Sequence, residues 1–523
     1  MNHEDSSQTG VLTQRGQAVQ PDLHEARKQS YQLDLILGVL LTAVTGSVFL
    51  STACPTVYWY DSAEMATAAA TLGIPHPPGY PLYTIVAWIF TWLPVEPAYA
   101  VNIMSACFGA LAVGTYYLLS RTQPLGRMAS AVGALTLGFS PLVWSNSTVA
   151  EVYMPGLVTL NGVLYLLLRS IREGRPQLSI AAAFIAGLGL GFHMSIAVCG
   201  LGLAWLAWLP THQPASLTSF SSAWDHSHRS TRLRRLLPLT GATLLGACIF
   251  LWLPIRSAMQ PEFMYTTVDT PRDFYFLVTS KTYQSFFKEG IAAGAVASYL
   301  GDKLITNLTW PGLGLLITGA VVTTKRAPKL AAFWMLSAIT NFAIFYNYDV
   351  HDLEVFFIPT FLMCVWAFSN GIDAIIRFLE GTTQRKASLC LAAGIILTLL
   401  PLTQLTRHFT EQDRAEDTSA RIWGETFMDT LPPDALLISF DSRPEWHLAS
   451  VARYFRFALG ARPDIEEWTR ATPESVVAEL RKGRPVYTYI GQGLPQQRFR
   501  LQQEGLLWRV LGIEMQGLRP PTS

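Results

Sequence analysis

DSAEMATAAATLGIPHPPGYPLYTIVAWIF, residues 61–90, sets two acids, a histidine and four prolines between hydrophobic stretches of a very apolar chain. Asp61 and Glu64 lie three residues apart, so on a helix they share one face. The Ala/Met/Thr run that carries them is helix-forming, and Gly73 supplies a stop. Pro75, Pro77, Pro78 and Pro81 then remove backbone donors and fix φ, so the helix cannot continue. The chain must turn there, and such a turn would deliver His76 and Tyr80 back towards the carboxylates. Ionisable groups are costly in lipid. Where this stretch lies relative to a membrane therefore decides what it is for.

The composition points to a membrane protein. Of 523 residues, 50% are hydrophobic and only 14% charged, against about 25% charged in soluble chains; mean hydropathy is +0.27. A net charge of +1 leaves no basic footprint for nucleic acid, which is excluded as a partner. All six cysteines lie in or beside apolar segments without metal-ligand spacing, and read as small apolar fillers.

Apolar runs recur at 34–54, 98–120, 128–145, 152–168, 178–192, 194–209, 236–255, 302–323, 331–346, 354–370 and 388–406. They predict a polytopic α-helical membrane protein of about eleven transmembrane helices over residues 34–406. Residues 1–33 are polar and are expected to form a disordered cytoplasmic arm. The first apolar run has no cleavage motif and should stay in the membrane. Basic clusters fall in every second loop: Arg121/Arg127, Arg169/Arg172/Arg175, Arg229/Arg232/Arg234/Arg235, Lys325/Arg326/Lys329 and Arg377/Arg385/Lys386. With eleven spans they share one side with Arg27 and Lys28, which the positive-inside rule makes cytoplasmic. Loops 55–97 and 256–301, and everything after about 407, then face outward.

Beyond residue 407 the pattern changes. LPPDALLISFDSRPEWHLASVARYFRFALGARPDI (431–465) reads as strand, turn and helix, ESVVAELRKG (474–483) as a helix, and RPVYTYIGQ (484–492) as a buried strand. Residues 407–523 are expected to form a small extracytoplasmic α/β domain on the outer face. On this topology Asp61 and Glu64 sit at the outer interface, just past the first span. From the residues alone, three readings stand: a solvated interfacial loop, a cation site in a transporter or flippase, or a positioned reaction site.

The quoted stretch, with its D-x-x-E and H-P-P-G-Y-P elements, resembles the signature of a family of multi-pass glycosyltransferases with the GT-C fold. These are bacterial relatives of the animal transmembrane O-mannosyltransferase that modifies plexin-type immunoglobulin-like domains. The similarity continues in VNIMSACFGALAV (101–113), TVAEVYMPGLVTLN (148–161), WLPIRSAMQPEF (252–263) and HDLEVFFIPTF (351–361). The resemblance implies a GT-C-like domain over 34–406 and a polyprenyl-phosphate sugar donor, mannose or another hexose. It implies transfer on the non-cytoplasmic side, with Asp61 as catalytic base and Glu64 as its partner or substitute. The acceptor would be a protein, lipid or polysaccharide hydroxyl.

Further site residues follow from chemistry. Arg256, at the outer end of a span, would hold the leaving phosphate in its guanidinium fork, with Lys281 a weaker candidate; an interfacial anchor is the plain alternative for Arg256. His76, Tyr80, Glu151 and His193 are expected around the donor, although Glu151 also suits a helix N-terminus and His193 an apolar core. Asp349, His351, Asp352 and Glu354 crowd one outer loop, yet hard cations need several converging oxygens. No metal and no cofactor are expected. The compartment is a bacterial inner membrane with an outward site, or alternatively the endoplasmic reticulum with a lumenal one.

Overall fold

The computed structural model describes residues 9–209, 229–382, 386–439, 443–469, 471–490 and 499–513. All eleven apolar runs coincide with helix. Seven helices are long and apolar enough to cross a membrane: Lys28–Ser51, Pro97–Ser120, Tyr153–Glu173, Leu236–Ala258, Ala293–Arg326, Pro328–Phe345 and Leu353–Gly381. The chain is a multi-pass membrane protein. The other four runs are shorter, broken or only partly described. Run 128–145 divides at Ser140, where Pro141 starts a new short helix; run 194–209 divides at Cys199. Run 178–192 gives the short helix Pro176–Gly189, and run 388–406 lies within Lys386–Gln412.

The first helix, α1 (Thr9–Ser51), begins well before the first apolar run. Next come α2 (Asp61–Thr71), α3 (Pro81–Phe90), α4 (Pro97–Ser120), α5 (Arg127–Gly138), α6 (Pro141–Ser145), α7 (Tyr153–Glu173) and α8 (Pro176–Gly189). Helix α4 packs on α1 and α7. The helices Ala293–Arg326 and Ile358–Thr382 make the closest contact. A Cβ at Gly319 would lie 1.7 Å from the Ala367 carbonyl oxygen, and one at Gly371 2.0 Å from that of Leu315. Small residues permit that approach in lipid, where packing rather than hydrophobic exclusion holds helices together.

The C-terminal domain, expected on the outer face, is a five-stranded mixed sheet in the order β2-β1-β3-β5-β4. Its strands are β1 (Leu436–Ser439), β2 (Glu466–Thr469), β3 (Val486–Thr488), β4 (Phe499–Glu504) and β5 (Leu507–Ile513). β1 is parallel to both β2 and β3, and β3–β5 and β5–β4 are antiparallel. Helices Arg443–Arg453 and Pro473–Arg481 connect the parallel strands, as βαβ units require.

This domain shares a core with the loop that follows α1. Val57, Ala63 and Ala66 are buried in one cluster with Phe427, Tyr454 and Tyr487; burying a side chain such as Phe427 contributes roughly 1.5–3 kcal/mol. A polar clasp reinforces the junction. The Glu96 carboxylate accepts from Thr56 Oγ1 and Tyr454 Oη, each at 2.8 Å, and pairs with Arg421. Trp59 Nε1 donates to Ser419 Oγ at 2.9 Å. The domain is therefore fixed over α2.

Candidate active site

Helix α2 begins at Asp61 with Glu64 in its first turn, where the helix dipole favours acids. It ends one residue before the expected glycine: Leu72 takes the left-handed conformation at φ 49°. Gly73 is required for a different reason. A Cβ there would lie 2.3 Å from the Phe263 carbonyl oxygen, where loop 256–301 crosses. That loop is tied down by Tyr265 N–H donating to the Ile74 carbonyl at 2.8 Å. The proline segment then folds back as expected and starts α3 at Pro81.

The turn brings His76 onto Glu64. The His76 backbone N–H donates to Glu64 Oε1 at 2.9 Å, and its Nδ1 bonds Glu64 Oε2. On the ring's other side, Nε2 lies 3.9 Å from Asp61 Oδ2 and 3.3 Å from the Tyr80 hydroxyl. Burial opposes a charge on His76, but Glu64 and then Asp61 more than offset it, raising its pKa to about 9. At neutral pH it is an imidazolium between two acids. The acids are unequal: the Glu64 side chain is 1% exposed and that of Asp61 43%. Of the two acids, Asp61 is the one open to an incoming group.

Asp61 has a further partner that was not anticipated. Trp446 Nε1, from the C-terminal domain, donates to Asp61 Oδ1 at 2.8 Å, and its ring meets His76 edge-on at 6.1 Å between centroids. Tyr283 packs 6.0 Å from the His76 ring. Tyr60, just before α2, is held at φ 59°, a region costly for an aromatic residue. Its ring stacks on His351 at 5.0 Å and packs near His447 at 5.4 Å. These aromatics form a rim around the exposed oxygen of Asp61. Asp441, in the same domain, lies outside the described residues, as does the side chain of Arg443.

Tyr80, Glu151 and His193 also gather here. The His193 ring stacks on Tyr80, 6.0 Å between centroids and 7° from parallel, and meets Tyr153 edge-on at 4.8 Å. Its Nδ1 accepts from the Ser195 N–H at 3.1 Å. Burial, and the nearby His76 charge, lower its pKa to about 3, so it is neutral. Desolvation, then the Asp61 and Asp352 carboxylates, push the Glu151 pKa well above the usual range. Its backbone N–H donates to Ser105 Oγ at 3.2 Å. Glu151 thus faces the cluster without bonding His76.

Arg256 is not brought to this cluster. Its Nε donates to the Leu72 carbonyl at 2.6 Å and its Nη2 to that of Thr71 at 3.1 Å. It closes the C-terminal end of α2, about 15 Å from Asp61 at 1.5 Å per residue. A cation there satisfies orphan carbonyls and complements the dipole. Two of its five N–H donors are thus engaged on the helix, which supports a positioning role for Arg256 rather than the phosphate one. Arg256→Gln should lower the melting temperature by a few degrees, about 1 kcal/mol, and leave the KM for a lipid-linked donor within twofold. A tenfold rise in that KM at unchanged stability would restore the phosphate role.

The acidic loop after residue 347 does not converge on a cation site. Glu354 bonds Lys303 and Tyr299, while Asp352 lies 3.5 Å from His351. Among the described residues, the three that could jointly hold a metal are Asp61, Glu64 and His76, whose ligand atoms lie within 4.8 Å of one another.

The arrangement has clear counterparts. Residues 61–216 match the family described as "Protein O-mannosyl-transferase TMEM260 N-terminal domain". The structure of ArnT from Cupriavidus metallidurans bound to undecaprenyl phosphate superposes with a TM-score of 0.56 at 14% identity, over 91% of this chain and 97% of that one.

The chain has the GT-C glycosyltransferase fold.

The apo ArnT structure agrees, with a TM-score of 0.58 over 92% of this chain and 98% of that one, at 12% identity. The GT-C chain is also similar to Protein O-mannosyl-transferase TMEM260 of Mus musculus, 24% identical over 82% of this chain. Its Dictyostelium discoideum counterpart is 21% identical over 88% of this chain. The chain spans 61% of the length of each of these relatives. The resemblance first read in residues 61–90 therefore runs along most of the chain, and both relatives carry transferase names rather than those of carriers.

Proposed function

We propose that this GT-C protein transfers a hexose, mannose in the first instance, from a polyprenyl-phosphate donor to an acceptor hydroxyl on the outer side of the membrane. The observation that carries the reading is the Asp61 carboxylate, held at Oδ1 by Trp446, flanked by His76 and exposed to an aromatic rim. ArnT, of the same fold, is solved with undecaprenyl phosphate, and the named relatives are protein O-mannosyl-transferases. They favour a lipid-linked donor and a protein acceptor over a lipid or polysaccharide one.

In this scheme the lipid chain lies in the bilayer and its sugar phosphate reaches the outer interface at α2. The acceptor hydroxyl enters from the aqueous side, under the outer domain. Asp61 takes its proton as the oxygen attacks the anomeric carbon, and the phosphate leaves from the opposite face. One displacement inverts the configuration. Such general-base assistance is worth about 10²–10⁴-fold. His76 sits between Glu64 and Asp61 and fixes both carboxylates, while Tyr80 and His193 form the apolar floor. The membrane would be a bacterial inner membrane with the site facing outward, the endoplasmic reticulum being the alternative.

The test is direct. Purified full-length protein, given radiolabelled polyprenyl-phosphate mannose and Ser/Thr peptides, should label the peptide. Failure with both mannose and glucose donors across protein, lipid and polysaccharide acceptors, together with ion flux in proteoliposomes, would return the carrier reading. The proposal also includes a metal-free reaction. The His76 Nδ1 is taken up by Glu64, and a metal would have to displace the imidazole proton to bind there. Washing with EDTA should leave the transfer rate within twofold; loss restored by a divalent cation would make the three residues a metal site.

A further inference from the structure

A cavity of about 1300 Å³ opens at the other end of the bundle. Helix α7 links the two regions, with Tyr153 beside His193 at one end and Arg172 in the cavity wall at the other. At 1.5 Å per residue these ends lie about 30 Å apart. Seven lining residues are Lys or Arg and three are Asp or Glu, a surplus of four positive charges. The positive-inside bias places arginines at this end, but it does not make them converge on a void.

The acids neutralise only part of that charge. Asp34 lies 3.3 Å from Arg121, Glu173 2.7 Å from Arg169 and Asp373 2.5 Å from Arg377. Lys28 and Arg326 line the same cavity with no ion-pair acceptor among the described residues. Gln123, 8% exposed, is also in the wall, and its side-chain amide nitrogen has no acceptor among the described residues. Leu118, Leu125 and Leu330 complete the wall with apolar surface. The missing group is an anion with several acceptor oxygens, which a phosphate presents to guanidinium forks. The apolar side suits the glycerol and first methylenes of an amphiphile.

We propose that this cavity binds the phosphate headgroup of an anionic membrane lipid, at the end of the bundle opposite Asp61. The inference rests on the multi-pass membrane architecture and is independent of the sugar-transfer reading.

Native mass spectrometry of the detergent-purified full chain, titrated with phosphatidylglycerol or phosphatidylcholine, tests it, with inorganic pyrophosphate as the soluble competitor. Lys28→Gln/Arg326→Gln removes two cations that hold no acid among the described residues, so the fold should survive. Val322→Trp, also in the wall, fills the void without touching charge. The expected result is one retained phosphatidylglycerol per chain, at least tenfold preferred over phosphatidylcholine. Both variants should weaken it at least tenfold, with transfer at Asp61 unchanged. Binding of pyrophosphate without lipid retention would overturn the lipid assignment in favour of a soluble phosphate compound. Equal phosphatidylglycerol retention by wild type and both variants would overturn the site itself.

Discussion

Asp61→Asn should lower the rate of sugar transfer by about 10²–10⁴-fold and leave the melting temperature where it was. The amide keeps the shape of the side chain, and its oxygen can still accept from Trp446 Nε1, which holds Oδ1 at 2.8 Å in the wild type. What it loses is the capacity to take a proton. With binding intact, the loss falls on kcat while the KM for donor and acceptor stays within a few-fold, the signature of an interaction made only in the transition state. Steady-state kinetics with a lipid-linked donor and a peptide acceptor would measure it. A variant as fast as wild type would remove Asp61 from the chemistry.

Glu64→Gln should act through His76, on stability as well as rate. Glu64 and His76 are both buried, and each holds the other's charge. Removing one member of such a pair typically costs 3–5 kcal/mol, and here the imidazolium relieves the strain by losing its proton. The sign follows from linkage. The His76 pKa is raised from 6.5 to about 9, so its contribution is complete below pH 6.5 and lost as pH climbs through about 9, on the order of 3 kcal/mol in all. Wild-type protein should therefore lose stability between pH 6.5 and 9.5, while Glu64→Gln, less stable at the outset, should be nearly flat across that window. Transfer by the variant should fall about tenfold or more, since an uncharged His76 no longer fixes Asp61. Melting curves at half-unit pH steps decide the matter: parallel slopes for the two proteins would show that the pair is not ionised.

Much of this was legible in the sequence because it is local. Apolar runs became helices, and the Ala-rich stretch after Asp61 became α2. The prolines after Ile74 called for a sharp turn that could bring His76 back towards the carboxylates, where it meets Glu64. The alternation of strand and helix after residue 431 gave the outer α/β domain. The parts that escaped are long-range. Nothing near position 61 points to Trp446, 385 residues on, because that contact exists only once the outer domain docks on α2. The positions of Tyr60 and Tyr283 are set by tertiary packing in the same way. The bonds of Arg256 to the end of α2 escaped because a guanidinium that binds phosphate and one that caps helix carbonyls look alike in a string of letters. Only the position of Leu72 and Thr71 beneath it separates them.

Most directly at issue is where the head group of the lipid-linked sugar rests. A structure of the full chain with a non-transferable polyprenyl-phosphate mannose analogue would answer it. The anomeric carbon is predicted to lie at the exposed face of Asp61, within reach of a hydroxyl bonded to that carboxylate and inside the rim of Tyr60, Tyr283 and Trp446. A head group seated instead in the arginine-lined cavity at the other end of α7, with the Asp61 face empty, would contradict the account.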